Sequence, residues 1–230
     1  MSERSDQLAD EATRRGWRYS PSGEDLRLHD RWKWPVRFEH PYRYGSRGTG
    51  PSRRDPALDM LSGATPAGRA FCSFWTPHLA SAGGYATGGL PNMPTRCVAF
   101  VNTGMSLPTV SVVSRASLAR PYMSKLAQWA ARRAKKYAES HEAIQRLDGW
   151  AVGSDEFRRH YKVEANDRQG AGSLLGPDTQ ERLLADPSVS VCSIGADILA
   201  WCDRGYGGDG FDSATVDALL EILDSVELPR

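Results

Sequence analysis

Residues 159–226, RHYKVEANDRQGAGSLLGPDTQERLLADPSVSVCSIGADILAWCDRGYGGDGFDSATVDALLEILDSV, decide the fold. Tyr161 and Val163 alternate with charged neighbours, so a strand is expected over Arg159–Ala165 that also takes in Phe157. Proline at a first helical position pre-sets φ and wastes no hydrogen bond, which places a helix from Pro177 to Ala185, stopped by Asp186-Pro187. Val189, Val191 and Ile194, then Ile198, Ala200 and Cys202, flank Gly195-Ala196 as the two arms of a tight hairpin. Asp212 or Ser213 caps a last helix, whose buried stripe is Val216, Leu219, Leu220, Leu223 and Val226.

Toward the N-terminus, residues 4–15 put Leu8, Ala9 and Ala12 on one side of a short helix that Gly16 ends, ahead of an aromatic strand from Trp17 to Tyr19. Between Pro21 and Pro56, Trp32, Trp34, Phe38, Tyr42 and Tyr44 alternate with polar residues, and the prolines and glycines interrupt any helical period, so an extended segment is expected. Leu58–Ser62 and Arg69–Thr76 read as a hairpin; Arg96–Val101 and Thr109–Ser114 continue it as an antiparallel meander of about four strands. Residues 77–95, rich in glycine and proline, read as an exposed loop. From Ser117 to Leu147 there is no glycine, and Tyr122, Leu126, Trp129, Ala130, Ala134, Tyr137, Ala138 and Ile144 recur at near-helical spacing. That predicts one long amphipathic helix with Lys125, Arg132, Arg133, Lys135 and Lys136 on its polar face.

The expected class is therefore α+β, an antiparallel sheet with a long helix in the middle. One domain over 1–230 is expected, with a β-rich half at 1–116, the helix at 117–147 and an α+β half at 148–230.

Net charge of +1 conceals a polarity along the chain: residues 1–54 carry +4, 55–114 carry 0, 115–146 carry +6 and 147–230 carry −9. Local fields, not the total, decide what a surface attracts. A basic helix facing either solvent or the acidic C-terminal half is the ordinary reading. The start of the chain, MSERSDQLADEATRRG, has no apolar core of a secretory leader, and no run approaches the roughly 20 apolar residues of a membrane span, so a soluble, cytoplasmic protein is expected.

Catalytic signatures are sparse. Cys72, Cys97, Cys192 and Cys202 form no C-x-x-C pair, and His29, His40, His78, His141 and His160 form no H-E-x-x-H or H-x3-5-H pair, so no metal is expected. The best spatial variant joins Cys72 and Cys97 on adjacent strands with His78 or His40. The glycine-rich run 203–212 lacks the ligand order of a calcium loop and reads as a connection. There is no G-x-S-x-G elbow and no G-x-x-x-x-G-K phosphate loop, and Asp155-Glu156 read as solvated charge at a strand entrance. No cofactor is implied and no catalytic residue is assigned.

Gly16-Trp17-Arg18-Tyr19 after an Arg-rich helix, the strand Arg69–Phe74, Asp155-Glu156-Phe157 with Arg158–Val163, Leu174-Leu175-Gly176-Pro177, Asp197-Ile198-Leu199 and the Leu-rich last helix together resemble an uncharacterised actinobacterial domain. The resemblance covers most of the chain in order. It implies an α+β fold and no particular activity. Many members carry a membrane-spanning helix before the Gly-Trp-x-Tyr segment, where this chain has a short charged helix, and the 117–147 stretch looks longer and more basic than the usual connection. The leading expectation is a non-enzymatic binding, accessory or regulatory protein with a protein partner. Nucleic-acid or anionic-surface binding through Lys125, Arg132, Arg133, Lys135 and Lys136 is the first alternative, and a hydrolase-type enzyme with a site outside known motifs is the second.

Overall fold

The computed structural model describes residues 3–22, 58–77, 95–115, 148–165, 168–204 and 213–228. Five helices lie in these segments: α1 Glu3–Arg14, α2 Asp155–His160, α3 Arg168–Leu174, α4 Pro177–Ala185 and α5 Ser213–Ser225. The strands are β1 Arg18–Ser22, β2 Leu58–Ala64, β3 Ala70–Pro77, β4 Thr95–Asn102, β5 Val110–Ser114, β6 Asp148–Gly149, β7 Tyr161–Ala165, β8 Val189–Ile194 and β9 Asp197–Arg204. All nine join one sheet in the order β1-β2-β3-β4-β9-β8-β5-β7-β6, and every neighbouring pair is antiparallel.

Because cross-strand partners share a face, the register writes out the sheet as rows. One row runs Leu61, Ser73, Ala99, Ala200, Val191, Val112, Val163, and the next runs Phe71, Val101, Ile198, Ser193, Val110, Ala165. These rows meet Leu8 and Ala12 of α1, Phe157 of α2, Ala171 and Leu174 of α3, Leu183 of α4 and Val216, Leu219, Leu220 and Leu223 of α5 in one core. The small side chains Ala99 and Ala200 sit mid-sheet on the two strands that α5 packs against, which lets that helix come close. On the opposite face Phe74, Val98, Phe100, Leu199 and Trp201 form a second buried cluster with Cys192, and Met60, Cys72 and Ile194 pack against it. No described helix contributes to that cluster.

Local chemistry explains several junctions. Gly195, at φ +61, with Ala196 makes the two-residue turn of the β8–β9 hairpin, a conformation that favours glycine. The Arg69 guanidinium donates to the carbonyl of Leu223 at 2.8 Å and, at longer range, to that of Val226, satisfying acceptors that the end of α5 leaves open. Asp224 accepts from Thr65 Oγ1 at 2.6 Å and from the Ala67 amide at 2.9 Å, so the β2–β3 turn is fastened to α5 twice. Tyr161 Oη donates to the Leu183 carbonyl at 2.7 Å, tying β7 to the last turn of α4, and burial pushes its phenol pKa well up.

Two expectations are corrected, and the question of Cys72 and Cys97 is answered. The strand Thr109–Ser114 does not follow 95–102 in a meander: β9 and β8 intervene, and β5 pairs with β8 and β7. Chain order favours neighbours, but row continuity of Val110 and Val112 with Ser193 and Val191 selects the distant pairing. Phe157 and Asp155-Glu156 lie not at a strand but in α2, which Ser154 caps through Oγ, accepting from the Phe157 amide at 3.1 Å. Cys72 and Cys97 do not meet; Cys72 is opposite Phe100 on the second face, whereas Cys97 is opposite Trp75 and Cys202 on the helical face. The predicted long helix 117–147 and the loop 77–95, apart from its ends at Pro77 and Thr95, lie outside the described residues.

Candidate functional site

Lys125, Arg132, Arg133, Lys135 and Lys136 fall outside the described residues, as do His29, His40, His78, His141 and residues 205–212 of the glycine-rich run. His160 closes α2 and is exposed. Among the described residues no three His, Cys, Asp or Glu side chains gather as a metal site. The perturbed titrations have structural causes. Arg15 is held charged by its hydrogen bond to Asp217 at 2.5 Å and by Glu11, and the Cys192 thiol is pushed up by complete burial with Asp197 adding to it.

The described surface offers two places where something can bind. The first is a shallow depression of about 550 Å³ between α2 and α4, lined by Ser154, Glu156, Pro177, Gln180, Glu181, Leu184 and Ala185. Helical spacing produces it: Thr179 and Leu183 of α4 enter the core, which turns Pro177, Glu181 and Ala185 outward and leaves Leu184 half-buried at the boundary. Gln180 is fixed by donating from Nε2 to the Leu175 carbonyl at 2.7 Å, and Ser154 by its cap, so the polar ends of the depression are already engaged. Sequence reasoning missed this groove because it missed α2. The signal was present in Ser154 followed by Asp155 and Glu156, a capping residue with two acids in a first turn.

The second place is a basic corner at one end of the sheet. Ser114 of β5 is opposite Tyr161 of β7, so Arg115 emerges beside the end of α2 and donates from Nε to the Arg158 carbonyl at 3.1 Å. Arg115, Arg158, Arg159, His160 and Lys162 are all exposed there. Arg158 pairs with Asp155, and Lys162 with Glu164 at 2.6 Å, whereas Arg115 and Arg159 have no described carboxylate partner. The register also puts the strand ends Ser22, Leu58, Pro77, Thr95, Arg204 and Ser114 at this same end of the sheet.

The fold is similar to that of a mycobacterial transport factor. The crystal structure of the mycobacterial trehalose monomycolate transport factor A, TtfA, superposes with a TM-score of 0.51 over 98% of this chain and 93% of that one, at 13% sequence identity. No protein-family description and no curated protein matches the sequence. At that identity TtfA shares the fold, and its residues are not carried over to this chain. Among the described residues no helix is long and apolar enough to cross a membrane.

Proposed function

We propose that this is a non-enzymatic accessory or regulatory protein of the cytoplasm, one α+β domain that works by holding a partner protein of a transport or assembly apparatus. The observation that carries the reading is the likeness of the fold, over nearly the whole length of both chains, to a protein named as a transport factor. It is supported by the resemblance of the sequence to an uncharacterised actinobacterial domain, and by polar groups that, where described, serve caps and turns. Arg69, Tyr161 and Ser154 spend their hydrogen bonds on backbone groups, and Asp224 holds the β2–β3 turn through the Ala67 amide and the Thr65 hydroxyl. Affinity purification of the chain at its native level, repeated with the tag on the protein recovered, tests the reading. A partner that returns in both directions at constant ratio is expected; a lone chain refutes it.

A second reading has its own observation. The exposed Arg115 and Arg159 stand where the chain enters residues 116–147, the most basic part of the sequence. Lys125, Arg132, Arg133, Lys135 and Lys136 would then extend that corner into a surface for nucleic acid or an anionic membrane. This reading predicts binding that falls steeply with salt and that reversal of Arg132, Arg133, Lys135 and Lys136 abolishes. Unchanged affinity in that variant rules it out.

A further inference from the structure

Two carboxylates, Glu156 of α2 and Glu181 of α4, line the α2–α4 depression. Asp155 is taken by Arg158, and Arg182 of α4 draws on Asp178 and, at 2.9 Å, on Glu221 of α5. Glu156 and Glu181 remain, both exposed, one on each wall and with no described cation against either. Between them lie the apolar side chains of Pro177 and Ala185, both exposed, and the outer edge of Leu184, which is half-buried against the core. An open apolar floor flanked by two acids has the opposite polarity from the basic corner at the far end of α2.

We propose that this groove is the docking site for a basic amphipathic segment of the partner protein, an apolar side chain lying over Pro177, Leu184 and Ala185 with Lys or Arg on either side against Glu156 and Glu181. The proposal rests on the partner-binding reading above and names the chemistry of what is bound. A depression this open suits one anchoring side chain of a larger surface, since enclosed sites for small molecules bury most of their ligand. Apolar contact supplies the anchor, and the two carboxylates select sign, admitting a cationic flank and repelling an acidic one.

The test uses the full chain and a synthetic helical peptide of alternating Leu and Lys clusters, with its Glu-for-Lys counterpart as control, followed by fluorescence anisotropy. Two variants are compared, Glu156→Lys with Glu181→Lys in the groove, and Asp6→Lys with Asp10→Lys on α1. All four side chains are exposed, so both variants should stay folded, the groove variant with a slightly lower urea midpoint because Glu156 is an acid in the first turn of α2. The Lys peptide is expected to bind and the Glu peptide not; reversing the groove weakens binding by about tenfold or more, and reversing α1 by less than about twofold, as expected when specific charge pairs replace a general field. Equal losses in both variants, or no loss in the groove variant, overturn the proposal. The native partner separates this idea from the one beneath it. A partner complex that survives groove reversal overturns the groove and leaves partner binding standing, whereas a wild-type chain with no partner removes both.

Discussion

Gly63 of β2 lies where a side chain cannot fit. A Cβ built there would stand 2.4 Å from Trp17 Cδ1 and 3.0 Å from its Cγ, well inside contact distance. Trp17 in turn packs edge-on against Phe71 with ring centroids 4.9 Å apart, and Arg15 stacks over it at 4.8 Å. Replacing Gly63 by Ala therefore moves the indole or bends β2. Overpacking of this kind costs about 1–3 kcal/mol, and loss of the aromatic pair adds about 0.5–1.5 kcal/mol where the ring cannot follow. Lower entropy of the unfolded chain returns about 0.4–1 kcal/mol, because Gly63 has ordinary strand backbone. A net loss of about 1–2 kcal/mol is expected, read as a lower urea midpoint with unchanged slope. The decisive comparison is Trp17→Ala, which costs about 2–3 kcal/mol for a half-buried ring, less than the full range for buried aromatics. In that background Gly63→Ala should be neutral or slightly stabilising, giving a coupling of about 1–3 kcal/mol. Additive losses, or a Gly63→Ala protein as stable as wild type, refute the reasoning that the β1–β2 edge is closed by tryptophan lying on glycine.

Arg69→Ala should cost about 1.5–3 kcal/mol in urea unfolding, the range for hydrogen bonds from a charged donor, and Arg69→Lys should recover only part because lysine lacks the rigid two-nitrogen fork that Arg69 lays against the Leu223 and Val226 carbonyls. Tyr161 gives a pH signature: its folded pKa is raised, so the stability it contributes is complete below the unfolded value near pH 10 and is lost as pH rises beyond it. A urea midpoint followed from about pH 8 to 11 should fall at the alkaline end, and Tyr161→Phe should flatten that fall while costing about 0.5–1.5 kcal/mol at neutral pH. Of the four thiols only Cys72 is partly exposed, so a thiol reagent should label one cysteine quickly in the folded chain and the other three only on unfolding.

What was legible in the sequence was whatever local chemistry decides. Pro177 announced α4, Gly195-Ala196 announced the β8–β9 turn, and the Val216 to Val226 stripe announced α5, because each signal acts within a few residues. The place of β5 was not legible, since strand pairing is settled by matching rows across the sheet and Val110 finds Ser193 some 80 positions away in the chain. Helix α3 was missed for a related reason: Gly170 and Gly172 argue against helix in isolation, and the packing of Ala171 and Leu174 against the core overrides them. The candidate groove is hidden because it depends on two short helices packed together, and Phe157 of α2, read with Tyr161 and Val163, suggests a strand instead. The apolar alternation was real for Tyr161 and Val163, whose side chains enter the core from β7. At Phe157 the same burial is achieved from a helix, with its ring stacked on Tyr161 at 4.7 Å.

Charge asymmetry was legible, and the structure gives it a partial layout. Arg115, Arg158 and Arg159 collect at the strand ends, while Glu156 and Glu181 face the α2–α4 groove and Asp217 and Glu221 line α5 beside Arg15 and Arg182. Exposed pairs such as Arg182 with Glu221 are worth about 0.2–1 kcal/mol each, so this pattern matters less for stability than for what the surface admits.

The central claim is that the chain works by holding another protein. The mass of the native species, measured in unfractionated extract at cellular concentration, tests it most directly. The predicted result is a species heavier than the single 230-residue chain that contains a second, different protein. A wild-type species with the mass of one chain would contradict it.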